Sequence, residues 1–233
     1  MLPAIRWRES GLLYKMKFIN IHTHSHLSSD AIELINHQVQ DEWNPQIGRL
    51  YSVGFHPWYV HQYEHDEMIS LVDNLSKYED VLAIGECGLD RHIENLIEIQ
   101  ENVFIKQVEI AERVQKPLII HSVKTYPDLI RIKKARKVEI PWILHGYNGN
   151  TETTMQLLKH DFYFSFGAAI LNDLPKLNES LKLIPLNRLF FETDIQSEKI
   201  KTIYTFAATV LKCSVEELKT LIFNNFKQVF KYE

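Results

Sequence analysis

Cysteine is almost missing from this chain: Cys87 and Cys213 are the two it has, far apart in sequence and in no CxxC pair. That argues against a disulfide framework or a zinc ribbon and fits a reducing cytoplasm. Long apolar runs are missing as well. No stretch approaches the roughly 18 residues of a membrane span, and the amino terminus carries no signal-peptide segment, so a soluble cytoplasmic protein is expected. Charge of one sign is also scarce, with 26 Lys and Arg against 30 Asp and Glu and a net charge of −4. A chain without a global basic field must hold any polyanionic substrate locally. Repeats, low-complexity tracts and Pro/Gly/Ser linkers are absent too, which leaves nothing to mark a second domain.

What the chain does have is ordinary globular composition, 45% apolar and 24% charged over 233 residues, enough for one large core. Short β-rich runs recur at 17–22, 32–36, 50–55, 81–85, 117–121, 141–145, 161–166 and 188–192, with helical or loop segments between them. Alternation of this kind is the pattern of a parallel α/β fold, and eight runs favour a closed (β/α)8 TIM-type barrel over an open sheet. Such barrels usually need roughly 250 residues, so this one is expected to be trimmed. The run in SSDAIELINHQV reads as a strand directly after a loop, with the first helix short or missing.

Helical spacing groups Met68, Leu71, Val72 and Leu75 within 67–77, and Val103, Phe104, Val108 and Ala111 within 96–114. Further helices are expected over 126–137, in TTMQLLKH, and twice after Ser197. The segment KTYPDLIRIKKARK carries six basic residues, yet Leu129, Ile130 and Ile132 mark a buried side, so its charges are expected to point into solvent. Residues 16–233 are expected to form a single domain. The first fifteen residues have no clear period and read as an extension, either preceding a native start at Met16 or packed across the barrel bottom.

The chemistry is suggested by where polar residues fall. His22, Glu86, His121, His145 and Asp194 each stand at or just beyond the carboxyl end of an expected strand, the functional face of a parallel barrel. His22 and His24 are two residues apart on a strand, so both point to one side and can grip one metal. A shifted pair, His24 and His26, has the same spacing, but the run from Phe18 to Ile21 leads straight into His22. Singly, each residue has a structural reading: a base-paired Glu86, core or capping His121 and His145, a capping Asp194. Together they need partners, because unpaired groups beside a packed core are costly. Imidazole with carboxylate is a ligand set for zinc, manganese or iron rather than for an iron–sulfur cluster or copper(I). His56, in GFHP, also ends a strand, where it either meets substrate or a neighbouring ligand or is braced structurally by Pro57. Cys87 is expected to pack in the wall.

In order along the chain stand FINIHTHSH, VGFHPW, AIGECGLD, a Q-x3-F-x2-Q-x3-A run from Gln100 to Ala111, PLIIHS, LHGYNGN, YFSFGAAI, LFFETD and NNFKQVF. From about Lys17 to Phe230 the chain resembles the TatD-type metal-dependent deoxyribonucleases of the amidohydrolase-like superfamily. The resemblance implies a hydrolase that cleaves phosphodiester bonds through a metal-activated water, with two divalent ions, zinc, magnesium or manganese. It implies that His22, His24 and Asp194 hold one ion, that Glu86 bridges both, and that His121 and His145 hold the second. On the same resemblance Asp194 would accept the water's proton, and Asp194 and Glu86 would be the catalytic pair. Two departures weaken the nuclease expectation more than the metal site. The stretch after Asp194 reads IQSEKIKTIY, without the proline-rich loop of many members, and Val123 and Lys124 stand where an Arg often follows the IHS histidine. Lys124 is the candidate replacement as a phosphate contact, with a solvated loop lysine as its structural alternative, and His56 is a second substrate-binding candidate. The expected partner is DNA or a small phosphodiester, met by a monomer. Two other functions stay open: a metal-dependent amide or ester hydrolase, and a catalytically degenerate metal- or nucleotide-binding protein.

Overall fold

The structure is a computed structural model describing residues 16–25, 28–93, 96–137, 139–196 and 198–233. The extension at 1–15 and His26 lie outside the described residues. Eight strands are described: β1 (Phe18–Thr23), β2 (Ala31–Gln38), β3 (Leu50–Gly54), β4 (Val81–Asp90), β5 (Leu118–Val123), β6 (Trp142–Leu144), β7 (Phe162–Phe166) and β8 (Leu189–Phe191). All pair in parallel with their sequence neighbours, in the order β1 to β8. A parallel bridge between Thr23 and Asp194 brings β8 back to β1, so the sheet is a TIM-type barrel.

Seven α-helices are described: α1 (His65–Leu75), α2 (Ile97–Val114), α3 (Tyr126–Arg136), α4 (Thr151–Leu158), α5 (Pro175–Leu183), α6 (Ile200–Leu211) and α7 (Val215–Phe230). The strand reading of SSDAIELINHQV agrees with β2. The trimming goes further than one helix, however, because none of the described residues between β2 and β3 is helical either. Helix α5 is additional to those the apolar spacing marks.

Strands such as Trp142–Leu144 and Leu189–Phe191 are apolar at every position because helices cover the barrel outside while side chains fill it inside. On α2 the expected stripe of Val103, Phe104, Val108 and Ala111 is buried, and the Phe104 ring meets Trp142 edge-on at 5.4 Å. One basic residue of α3 departs from the outward reading. Lys133 is 8% exposed, its Nζ donating to the Asp161 carbonyl at 2.8 Å and standing 4.7 Å from the centre of the Phe162 ring. Its long stem is used as packing, as lysine stems often are.

Two glutamines of α2 fix the strand ends that matter most. Gln107 accepts from the Phe55 N–H at 2.8 Å and donates to the Phe55 carbonyl at 3.0 Å. Gln100 does the same for Asp90, at 2.7 and 3.0 Å. Each amide thus satisfies backbone groups that the sheet no longer pairs, and holds the carboxyl end of β3 or β4 in place. Gly88 brings β4 against β5: its φ is 142°, and a Cβ there would collide with the His121 carbonyl oxygen.

Candidate metal centre

Glu86 lies inside β4, which continues to Asp90 rather than ending at Gly85, and it is 5% exposed. Its Oε1 is 2.8 Å from His145 Nε2, 2.9 Å from His121 Nδ1 and 3.0 Å from His56 Nε2. Its Oε2 faces the other way, 3.4 Å from His22 Nε2 and 3.7 Å from His24 Nε2. Asp194 closes that second group, its Oδ1 being 3.3 Å from His24 Nε2 and 3.5 Å from His22 Nε2. Three sets of donor atoms therefore converge: His22, His24 and Asp194; His22, Glu86 and His145; and His56, Glu86 and His121. The strand geometry explains the first. His22 in β1 and His24, one residue past its end, are two apart and meet the same carboxylates, and Asp194, at a left-handed φ of 54° that aspartate tolerates, stands on the bridge from β8.

Electrostatics separates the five imidazoles. His24 is raised to about 9, chiefly by its contacts with Asp194 and then Glu86. Burial works against protonation of His145 and His121, but for His145 the charge of Glu86 and the bond to Glu192 outweigh it, and for His121 the bonds to Asp90 and Glu86 do. His22 is also raised, by Asp194 and Glu86 against its burial and the charge of His145. His56 moves down, because burial there exceeds the pull of Glu86. Glu86 is held well below the carboxylate range despite its burial, chiefly by the charge of His145 and the imidazole bonds. Binding of a divalent ion at these groups would release protons from the imidazoles.

A divalent ion fits the donors. His22 is fully buried, its contacts to the carboxylates are long, and neither ring nitrogen has a hydrogen-bond partner among the described residues. Buried polar atoms of this kind are costly unless something coordinates them. The family model for TatD related DNase matches residues 16–231. This chain belongs to the TatD-related DNase family. YabD of Bacillus subtilis, an uncharacterized metal-dependent hydrolase, is 29% identical over 196 residues, 77% of this chain and 76% of its own length. YcfH of Escherichia coli K12, another such hydrolase, is 28% identical over 197 residues, 78% of this chain and 73% of its own. The crystal structure of YjjV, a TatD homolog from Escherichia coli, shares the fold with a TM-score of 0.81 at 17% identity, covering 94% of this chain and 99% of that one. The chain is a TatD-like metal-dependent hydrolase. No helix among the described residues is long and apolar enough to cross a membrane.

In this TatD-family barrel the six residues expected to hold metal, His22, His24, Glu86, His121, His145 and Asp194, converge. The two expected to meet substrate part company. His56 is 4% exposed and both its ring nitrogens are engaged, Nε2 at Glu86 and Nδ1 as acceptor of the Trp58 N–H at 3.1 Å. Lys124 is exposed, just past β5, at a left-handed φ of 56°. Cys87 is fully buried, in the wall as expected.

Three residues of the site escape a reading that looks for ligands alone. Glu192 is fully buried, its Oε1 3.2 Å from His145 Nδ1 and accepting from the Gly146 N–H at 2.6 Å. Asp90 is 3.0 Å from His121 Nε2 and accepts from the Trp58 indole at 2.7 Å and from the His92 N–H at 2.8 Å. Burial opposes its ionisation, yet the bonds from His121 and Trp58 hold its carboxyl low. Asn36 of β2 accepts from the Glu86 N–H at 2.9 Å and donates to its Oε2 at 3.4 Å. Both carboxylates were visible in the motifs, as the Glu of LFFETD and the Asp of GECGLD. The signal was the rule that a ligating histidine gives its other nitrogen to a carboxylate. Asn36 carried no such signal.

Proposed function

We propose that this chain hydrolyses phosphodiester bonds, in DNA or in a small phosphodiester, at a centre of two divalent ions. The observation that carries the reading is the division of Glu86: one oxygen faces His121 and His145, the other faces His22 and His24 beside Asp194. A carboxylate so placed can give one oxygen to each of two cations. His22, His24 and Asp194 would hold one, His121 and His145 the other, and the imidazole-rich set suits zinc or manganese better than magnesium. Such ions supply a water acidic enough to attack at neutral pH and neutralise charge on a phosphoryl oxygen.

The protein's own groups do the rest. Asp194, with a third of its side chain exposed, is placed to take the proton of the attacking water. Asp90 and Glu192 fix the tautomer and the ring orientation of His121 and His145, and His56 holds the same Glu86 oxygen that those two rings meet. Lys124 offers a point charge to the phosphate at the rim.

The test is Glu86→Gln, nearly isosteric but uncharged. The variant should fold normally, hold less metal than the wild type by elemental analysis, and lose at least about a hundredfold in hydrolysis, ~2.7 kcal/mol of barrier. Wild-type metal content and turnover in this variant would refute the bridging assignment. Metal-reconstituted protein screened against bis-p-nitrophenyl phosphate, single-stranded DNA and a panel of esters and amides separates the phosphodiester reading from carbonyl hydrolysis. Bound metal with no turnover of any of them would instead identify a binding protein.

A further inference from the structure

We propose that Trp58 is a platform on which the site stacks a nucleobase of its substrate, an inference that rests on the phosphodiester reading above. Trp58 lies in the 3₁₀ turn Pro57–Tyr59 that follows β3, and it is 48% exposed. An exposed indole usually has no fixed orientation. This one is pinned at both ends. Its backbone N–H donates to His56 Nδ1 at 3.1 Å, and its indole N–H donates to Asp90 Oδ2 at 2.7 Å. The same carboxylate oxygen is 3.0 Å from His121 Nε2. The rings of His56 and His121 stand edge-on to the indole, 4.9 and 5.8 Å between centres.

The groups that surround Glu86 therefore orient the indole, and its polar end is satisfied while ring surface stays open to solvent. That open surface does little for the folded protein alone, because an uncovered apolar ring gains nothing from burial. It is suited to a flat, π-faced partner arriving beside the phosphate. Every nucleobase has such a face, so the contact favours nucleic acid over a bare phosphodiester without reading sequence. Asp90 makes the arrangement economical, since one carboxylate sets both the His121 ring and the platform. The competing role is purely structural, with Trp58 serving only to hold Asp90. Phenylalanine separates the two, because it keeps an aromatic face and lacks the indole N–H.

The experiment uses metal-reconstituted protein and single-stranded phosphorothioate oligomers, which resist hydrolysis, in two forms of equal length: one with natural bases and one with abasic tetrahydrofuran sugars. Binding is read by fluorescence anisotropy, and quenching of indole emission is followed in parallel. The wild type and Trp58→Phe should bind the natural oligomer about tenfold more tightly than the abasic one, and Trp58→Ala should lose that preference. The natural oligomer should quench the wild type and not Trp58→Phe, a result that stands even if Trp58→Ala does not fold. Equal binding of the two oligomers by the wild type, an undiminished preference in Trp58→Ala, or quenching that persists in Trp58→Phe would each overturn the platform. If neither oligomer binds while bis-p-nitrophenyl phosphate is hydrolysed, the nucleic-acid reading fails and takes the platform with it.

Discussion

Glu86 and Lys124 mark the two extremes of how this site uses charge. Glu86 is nearly enclosed and meets four histidines within 3.4 Å, so a change there disturbs every neighbour at once. Lys124 is exposed at the mouth, where a charge interacts through water and contributes little to the fold. Its expected contribution is to substrate affinity, equal in the ground and transition states. Lys124→Ala should then raise KM for a phosphodiester about fivefold, ~1 kcal/mol, with little change in kcat. Steady-state kinetics decide it, and unchanged values of both constants would return Lys124 to the solvent. Five of the six metal-ligand candidates were legible because each stands at or just beyond the end of an expected strand, and His24 because it lies two residues past His22. Asp90 and Glu192 were legible only as letters of a motif, since their role is to orient a histidine and a linear pattern does not show which carboxylate meets which ring. His56 illustrates the opposite difficulty: its place at a strand end suggests a substrate contact, and only packing shows it buried, with Nε2 on Glu86 and Nδ1 holding the Trp58 N–H.

Among the elements, those with a strong period were readable and those defined by what is missing were not. Helix α2 announced itself by Val103, Phe104, Val108 and Ala111, and its two clasping glutamines sat within the Q-x3-F-x2-Q run. Helix α5 has a buried side of Leu177, Ser180 and Leu181, a stripe too short and too mixed to stand out from a loop. The loss of helix between β2 and β3 could not be read from residues 39–49, because an irregular crossing and a frayed helix look alike in sequence. Helix α3 shows how packing overrides the rule that charge faces solvent. Burial lowers the pKa of Lys133 from 10.5 to about 8, with Asp161 opposing and Arg188 reinforcing the shift to smaller degrees. The folded value lies below the unfolded one, so the charged form is penalised in full below about 8 and the penalty fades as pH climbs to 10.5. Lys133→Met keeps the stem and removes the charge. Relative to the wild type, the variant's stability advantage should be largest at neutral pH and shrink by about 3 kcal/mol as pH rises across that window. Urea melts of both proteins at a series of pH values test it, and a difference independent of pH would show that the amine is not buried against its charge.

At the scale of the whole barrel the weak place is the seam between β8 and β1. Adjacent strands elsewhere pair through ladders, whereas here the described hydrogen bonds are those of the Thr23–Asp194 bridge, the amides of His24, Thr193 and Asp194, the Asn20 side chain on Thr193 and the Thr23 hydroxyl on the Asp194 carbonyl. The proposed ligands straddle this seam, with His22 on β1, His24 just past it and Asp194 just past β8. An ion held by all three would cross-link the first strand to the last, much as a clasp closes a ring. Binding to the folded state alone adds about 2.7 kcal/mol at a hundredfold excess over Kd, which in a protein of this size corresponds to a rise of about 5–10 °C in melting temperature. Zinc or manganese should produce that rise in chelator-treated protein. Hydrogen exchange should slow most at the amides of His24, Thr193 and Asp194. His24→Ala should lose most of the protection at the seam, while His145→Ala, at a residue that meets the other oxygen of Glu86, should keep it although it weakens the second ion. The pattern matters more than the size of the shift, because any bound cation raises stability by mass action. Metal that raised the melting temperature while leaving exchange at those three amides unchanged would show that the ion does not close the ring, and that the first cluster of ligands is wrongly drawn.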